Sequence, residues 1–298
     1  MDRLDAMMTL LAVVETGSFS AASRRLRVPV TTVSRRVAEL ESHLRTQLLQ
    51  RTTRKLSLTD AGVPYVLACR QVIEQIEEAE RTASGEYRSP RGTLTITAPA
   101  MLGRIHLVPI VADFMAQYAD IQLTCRFNDR VLDMQDEHVD VAIRIGELAD
   151  SRHRARRVGT IHRLVAASPD YLGRRGTPRT PADLDEHDCV AFHGFDPPGH
   201  WLFPNTKEMA ATPIPSRVMF DTIDSVIEAG LAGVGLIRVF CYHIMRALRA
   251  GDLKEVLPDF VPPGMPVHIL HKGEGLVPLK VRAFIDFCAP RLEAALAR

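Results

Sequence analysis

Several large protein classes are marked by features that this sequence has in short supply. Its 298 residues hold one tryptophan and five cysteines, and aromatic residues make up only 6%. The cysteines (Cys69, Cys125, Cys189, Cys241, Cys288) lie far apart, odd in number and without a C-x-x-C pair. That argues against a disulfide framework and against a zinc ribbon. Reduced, mostly buried thiols of a cytoplasmic protein are the expectation, with a redox-sensing pair as the alternative. No apolar run approaches the roughly 18 residues that a bilayer span requires, so no membrane partner is expected. The stretch Ala6–Val14 imitates a signal-peptide core, but Met1–Asp5 carries two acids against one base. No small-x-small cleavage site follows it, and a buried first helix is the better reading.

Catalytic signatures are equally sparse. There is no G-x-S-x-G, H-E-x-x-H or P-loop. Gly230-x-x-Gly233-x-Gly235 joins a helix to a strand, the reverse of a dinucleotide fingerprint. His268 and His271 sit three apart in a strand and so point to opposite faces, which is poor metal geometry. His187, Cys189 and His193 form the remaining metal candidate, against scattered core or surface positions. The expectation is therefore a protein without catalytic residues, metal or cofactor, and not an enzyme.

A formal charge of +1 hides an asymmetry. Residues 1–58 carry ten Lys/Arg against five Asp/Glu, a net +5, while the remainder holds 27 basic and 31 acidic residues, a net −4. A small basic head on a faintly acidic body suggests a nucleic-acid-binding module joined to something else.

In that head, Leu4, Met7, Leu10, Leu11 and Val14 recur at helical spacing. Gly17 ends this helix, and Ser18 or Ser20 caps a second, running through Ala21, Ala22 and Leu26. Arg27–Pro29 turns the chain into a third helix, Thr31–Leu44, with Val33, Val37, Leu40 and Leu44 inward. Two helices separated by a short turn, the second polar along one side, form a helix-turn-helix. Thr31, Thr32, Ser34, Arg35 and Arg36 lie on the outer face, where hydroxyls and arginines reach bases and phosphates. Leu48 and Leu49, the basic tip Arg51-Thr52-Thr53-Arg54-Lys55, and Leu56–Leu58 read as strand, tip and strand: a wing.

Gly17-Ser18-Phe19-Ser20-Ala21-Ala22, Thr32-Val33-Ser34-Arg35, Leu40-Glu41, Arg51-Thr52-Thr53-Arg54 and Leu58-Thr59-Asp60-Ala61-Gly62 arrive in the order and spacing of one family. The chain closely resembles the LysR-type transcriptional regulators. By that resemblance Val30, Thr31, Ser34 and Arg35 fall where the recognition helix meets DNA, and Arg54 falls on the wing. Thr32, Arg51 and Thr53 complete the expected DNA-binding set. Three positions depart from the family's pattern: Pro29 replaces a capping serine, Val30 a common glutamine and Arg45 a turn glycine. The first two bear on the operator sequence and not on the DNA-binding role.

From Thr59, Val66, Cys69, Ile73 and Ile76 alternate three- and four-residue steps, a seam for helix pairing or for docking on the chain's own domain. The resemblance implies pairing. Pro64 should start this helix late or bend it. Ser84-Gly85 and Ser89-Pro90-Arg91-Gly92 close the segment.

Beyond Gly92 strands alternate with helices: Leu94–Ala98, Ile105–Tyr118, Ile121–Phe127, Val131–Asp136 (helical) and Asp140–Ile145. Then come Leu164–Ala167, Val190–Phe192, Val218–Phe220, helix Ile223–Gly230, strands Gly235–Val239 and Val267–Leu270, and a last helix from Leu279. Single helices between strands argue for parallel βαβ units. The resemblance, carried here by Asp140–Gly146, Ala167–Leu172 and Leu231–Gly235, implies a two-lobed α/β domain like the periplasmic binding proteins. The expected organisation is a winged helix-turn-helix at 1–58, a linker helix at 59–90, and an effector-binding domain at 91–298. Lobe one takes 91–161 and 266–298, and lobe two takes 162–265.

Ligands of open α/β sheets sit outside the carboxyl ends of strands, near free helix N-termini. Here those places hold Pro99, Ala100, Met101, Leu102, Asn128, Arg130, Ile145, Gly146 and Thr222. Trp201 is expected in the cleft wall or in the core. Positive helix ends favour an anionic effector, commonly a carboxylate, with Arg130 or Arg144 as partner. Phe240 replaces a proline usual near the family's cleft rim. The expected partners are an operator in double-stranded DNA, a small-molecule effector, and further copies of the chain as homodimer or homotetramer. The rival readings are an enzyme with a DNA-localising head, and an architectural DNA-binding protein without a ligand.

Overall fold

The computed structural model describes residues 2–51, 56–84, 89–129, 139–148, 153–193, 197, 199–204, 209–272 and 277–297. It divides into two compact units, Met1–Gly92 and Thr93–Arg298.

The first unit is built around α1 (Arg3–Thr16), which packs against α2 (Phe19–Leu26), α3 (Val30–Leu44) and α4 (Gly62–Ser84). Neighbours on three sides bury more than one stripe. Ala6, Thr9, Leu10 and Val13 are fully buried, and Met7 and Val14 are half-buried and pack against the same core. Each junction has a local cause. Asp2 caps α1 by accepting the N–H groups of Leu4 and Asp5, and Gly17 closes it at φ 71°. Ser18 caps α2, its Oγ accepting the N–H of Ala21 at 3.1 Å. Strands β1 (Leu49–Arg51) and β2 (Leu56–Leu58) pair antiparallel, Leu49 opposite Leu58. The tip between them, with Thr53 and Arg54, lies outside the described residues.

Thr59 starts α4. Its Oγ1 accepts the N–H of Gly62 at 2.9 Å and donates to the carbonyl of Gln47 at 2.7 Å. Gly62 is required there because a Cβ would collide with the carbonyl oxygen of Leu48. Pro64 falls in the first turn of the helix, where its missing N–H removes little. The seam expected for pairing is largely spent inside the chain: Val66 and Cys69 are buried in the core of this unit, with Ile73 packed beside them. A helix has several faces, and the spacing of apolar residues does not say which neighbour covers which.

In the second unit a five-stranded sheet runs in the order β4-β3-β5-β14-β6 among the described residues. Its strands are β3 (Gly92–Ala98), β4 (Ile121–Phe127), β5 (Val141–Ile145), β6 (His153–Ile161) and β14 (Met265–Lys272). Between β3 and β4 the chain forms α5 (Ala100–Leu102), a π turn over Gly103–Leu107 and α6 (Val108–Gln117). The helical run thus begins well before Ile105, and its π turn ends two residues before Pro109, which supplies no N–H to the ladder. The helix expected at Val131–Asp136 lies outside the described residues.

The chain then crosses to the second lobe. There β7 (Arg163–Ala167) is followed by α7 (Pro169–Arg175), β8 (Cys189–Phe192), β9 (His200–Pro204) and β10 (Met209–Pro213). β11 (Ser216–Phe220), α8 (Ile223–Leu231), β12 (Ile237–Phe240), α9 (Cys241–Ala250) and β13 (Lys254–Val256) complete it. β14 returns to the first sheet, and α10 (Leu279–Leu296) packs beneath it. The expectation of parallel pairing holds for β3 with β5 and for β8 with β11. It fails at β14, antiparallel to both β5 and β6, and at β7, antiparallel to β12 and β13. β14 re-enters from the other lobe and is not a βαβ crossover, so the rule for crossovers does not bind it.

Candidate functional sites

The first site is the outer face of α3. Its inner residues Val33, Val37 and Leu40 are fully buried against α1, which fixes the opposite face outward. Val30, Thr31 and Arg35 are exposed there, with Thr32 and Ser34 half-exposed beside them. Pro29 supplies no side-chain cap, and its carbonyl takes the N–H groups of Thr32 and Val33, so only the first N–H groups of the helix stay without an intrahelical partner. Arg35 touches Glu39 at 3.6 Å in an exposed i,i+4 pair that leaves the guanidinium accessible. Its neighbour Arg36 turns the other way. It reaches Asp5 at 2.8 Å and Thr9 at 3.5 Å, binding α3 to α1. Arg51 ends β1, and its side chain lies outside the described residues.

A less obvious contributor is Glu41, whose carboxylate accepts the N–H groups of both Leu48 and Leu49, at 2.8 and 3.0 Å. One side chain thereby sets where the first wing strand leaves the helix. The pair Leu40-Glu41 is thus partly a structural signature: Leu40 fills the core and Glu41 aims the wing.

The second site lies where the two lobes meet, at the carboxyl ends of β3, β4, β11 and β12. Arg104, on the π turn of lobe one, forms an ion pair at 2.5 Å with Asp224, in the first turn of α8 in lobe two. The ring of His106 lies 5.4 Å from that of Tyr242, at the start of α9. Tyr242 stacks near Phe240 at 6.0 Å and His243 stands edge-on to Tyr242 at 4.3 Å. Gly103 permits this approach, since a Cβ there would strike the ring of Phe127.

The residues expected at this site are placed as follows. Pro99 and Ala100 are half-exposed, but Met101 and Leu102 turn into the main core. The free N–H group expected at this short helix is taken: Ala100 donates to Asp129 Oδ1 at 3.0 Å. A carboxylate already sits where an anion was expected. Asn128 follows β4, with its Oδ1 buried and unpartnered. Thr222 precedes α8, exposed, its hydroxyl 2.7 Å from that of Ser225. Ile145 packs on the core, and Gly146, at φ 110°, donates to the carbonyl of Pro266 at 2.8 Å beside the returning strand. Arg130 lies outside the described residues. Arg144 stands opposite His268 on β14, and burial lowers the pKa of its guanidinium.

Trp201 is not in the cleft wall. It is 4% exposed and packs with Val165, Tyr171, Phe203 and Leu257 in a separate core of lobe two. A lone tryptophan carries no positional signal. Spacing missed Arg104, His106, Tyr242, His243 and Asp224, because their meeting joins segments more than a hundred residues apart. The only local hint was the aromatic and histidine run Phe240-Cys241-Tyr242-His243 at a strand-to-helix turn. His187, the metal candidate, instead has its Nδ1 3.2 Å from the Tyr171 hydroxyl. No group of His, Cys, Asp and Glu among the described residues is arranged to hold a metal.

Residues 4–63 match the model for the bacterial regulatory helix-turn-helix proteins of the lysR family, and residues 88–293 match that for the LysR substrate binding domain. The chain is a LysR-type transcriptional regulator. It is 32% identical over 281 residues to an uncharacterised HTH-type transcriptional regulator of Haemophilus influenzae, covering 94% of this chain and 98% of that one. It is 35% identical to an HTH-type transcriptional repressor of Pseudomonas aeruginosa, covering 96% of this chain and 91% of the other. Among solved structures it resembles CrgA, a LysR-type regulator from Neisseria meningitidis, with a TM-score of 0.63 and 28% identity over 97% and 98% of the two chains. This regulator thus carries a DNA-binding head and a two-lobed effector domain, and its relatives are regulators rather than enzymes. No helix among its described residues is long and apolar enough to cross a membrane.

Proposed function

We propose that this regulator reads a partly palindromic operator through Val30, Thr31, Thr32, Ser34 and Arg35, with Arg51, Thr53 and Arg54 of the wing on the phosphates. It works in the cytoplasm as a homodimer or homotetramer, and responds to an anionic small molecule bound between the lobes. The observation that carries the DNA reading is the exposure of Val30, Thr31 and Arg35 at the uncapped start of a helix whose other face is wholly buried. Side chains in that position enter a major groove, and unbonded N–H groups meet a phosphate. Self-association is supported by Val63, Leu67 and Val72, apolar and exposed along α4. The effector reading is supported by the Arg104–Asp224 pair, which ties one lobe to the other across the junction. A molecule held between lobes changes the angle between them only if it binds the two arrangements with different affinity.

The head is tested by fluorescence anisotropy on operator and random duplexes across a salt series. Arg35→Ala should lose about 1–3 kcal/mol of discrimination. Arg54→Ala should weaken binding to every sequence and flatten the salt dependence. Variants that bind both duplexes like the wild type refute the assignment. For the effector domain, a thermal-shift screen of small carboxylates should find a stabiliser. A protein that binds DNA with little sequence preference and answers no small molecule is architectural instead.

A further inference from the structure

On the outer face of α3, Val30 is the residue with no polar atom in its side chain. It opens the helix and is 41% exposed, whereas the other two valines of α3, Val33 and Val37, are fully buried. Left in water, Val30 contributes nothing to the core, and a β-branched residue is a weaker helix former than alanine. Apolar side chains scattered singly over a surface need no explanation. Val30 is not scattered. Pro29 and Thr31 beside it are exposed too, and Ser34, one turn further on, lies half-exposed on the same side.

The side chain is held in place before any DNA arrives. Arg36 ties α3 to Asp5 and Thr9 of α1, and Val33, Val37 and Leu40 anchor the inner face. The carbonyl of Pro29 accepts the N–H groups of Thr32 and Val33, at 3.0 and 3.2 Å, which fixes the first turn. A valine in a helix has essentially one rotamer, so ordering it against a ligand costs little entropy.

In the major groove the bases differ in what they present to such a side chain. Guanine offers two acceptors, cytosine a donor, adenine an acceptor and a donor, and thymine an acceptor beside its C5-methyl group. A valine laid over the polar edge of guanine, cytosine or adenine removes water without giving a hydrogen bond in return. Against thymine it covers a methyl group, and apolar surface on both partners leaves water. The hydroxyls of Thr31 and Ser34 flank it and can donate to the thymine O4. We propose that Val30 is a specificity-determining residue that reads one thymine in each operator half-site through its C5-methyl group. This inference rests on the reading of α3 as the recognition helix and adds the base that one of its residues selects.

The test uses the full-length protein and the duplex that it selects from a random pool. Each thymine in turn is replaced by deoxyuridine, which lacks only the methyl group, and affinity is read by fluorescence anisotropy. One thymine in each half-site should prove sensitive, its replacement weakening wild-type binding about three- to tenfold. At that position 5-methylcytosine, which carries the same methyl group, should bind better than cytosine. Val30→Ser should bind the thymine and deoxyuridine duplexes alike, while Thr31→Ser, which removes the neighbouring methyl group, should keep the difference. Each comparison is made within one variant, so a change in overall affinity cancels. The proposal is overturned if no thymine is sensitive, if 5-methylcytosine binds no better than cytosine, or if Val30→Ser keeps the difference. It is overturned equally if Thr31→Ser abolishes the difference. In all these cases the recognition helix itself stands as long as Arg35→Ala still loses discrimination. A protein that selects no sequence from the pool refutes the recognition helix and the role of Val30 together.

Discussion

The guanidinium of Arg104 meets the carboxylate of Asp224 at 2.5 Å, joining the π turn of one lobe to the first turn of a helix in the other. The side chains are 63% and 58% exposed, so the pair contributes little to folding, about 0–1 kcal/mol. Its leverage is on the relation between the lobes. Asp224→Asn should leave the melting temperature nearly unchanged while altering the concentration of effector that gives half-maximal response in a promoter assay. A large loss of stability with an unchanged response would show that the pair only holds the fold.

Arg35 and Arg36 are adjacent, and their substitutions should separate cleanly. Arg36→Ala removes the tie to Asp5 and Thr9 and should destabilise the head by about 1 kcal/mol, with DNA discrimination retained once the protein is folded. Arg35→Ala should do the reverse. Chemical denaturation of the two variants, read beside their binding curves, checks both.

Glu41→Ala leaves the N–H groups of Leu48 and Leu49 without their acceptor. A cost of about 1–3 kcal/mol is expected, together with loosened wing strands. Hydrogen exchange at residues 48–58 should accelerate relative to the three helices. Equal protection across the head would mean that the wing is aimed by other contacts.

Arg45 closes α3 with φ 53°, a left-handed conformation that carries a penalty for any residue with a Cβ. Arg45→Gly relieves that strain but loosens the unfolded chain, so the net gain should be modest, up to about 1 kcal/mol. A rise in the denaturation midpoint checks it, and a fall would show that the arginine side chain contributes more than its backbone costs.

The buried imidazoles make the second unit acid-sensitive. His243 has a folded pKa of about 3, below its ordinary value, so the unfolded chain binds the proton more readily. The stability contributed by keeping it neutral is complete above about pH 6.5 and is lost as pH falls toward the folded value. The melting temperature should therefore drop on acidification through this window, and His243→Phe should flatten that part of the curve. A wild-type curve that stays flat down to about pH 4 would argue that the ring is open to water.

The head was almost wholly legible from the chain, because its determinants are local. Gly17, Ser18 and Pro29 punctuate the helices, and Val33, Val37 and Leu40 set the inner face by their spacing alone. Spacing left a choice open where one element has several neighbours. It read Val66 and Cys69 either as a seam for a partner or as docking on the chain's own domain, and the core of the first unit takes both. In the effector domain the periodic pattern located most strands and helices, but the direction of β14 depends on a crossing between lobes that no local pattern records.

Residue order and side-chain chemistry alone determined the helix-turn-helix and its exposed cationic face, since short-range periods and turn residues specify such elements by themselves, and the order of its motifs carried the resemblance to the LysR-type regulators. Tertiary structure alone decided which polar groups face each other across the lobes. The meeting of Arg104 with Asp224, and of His106 with Tyr242 and His243, depends on how two sheets seat their helices, which sequence neighbours do not control. The same packing buried Trp201 in a core of its own and left Arg35 outside while drawing Arg36 in.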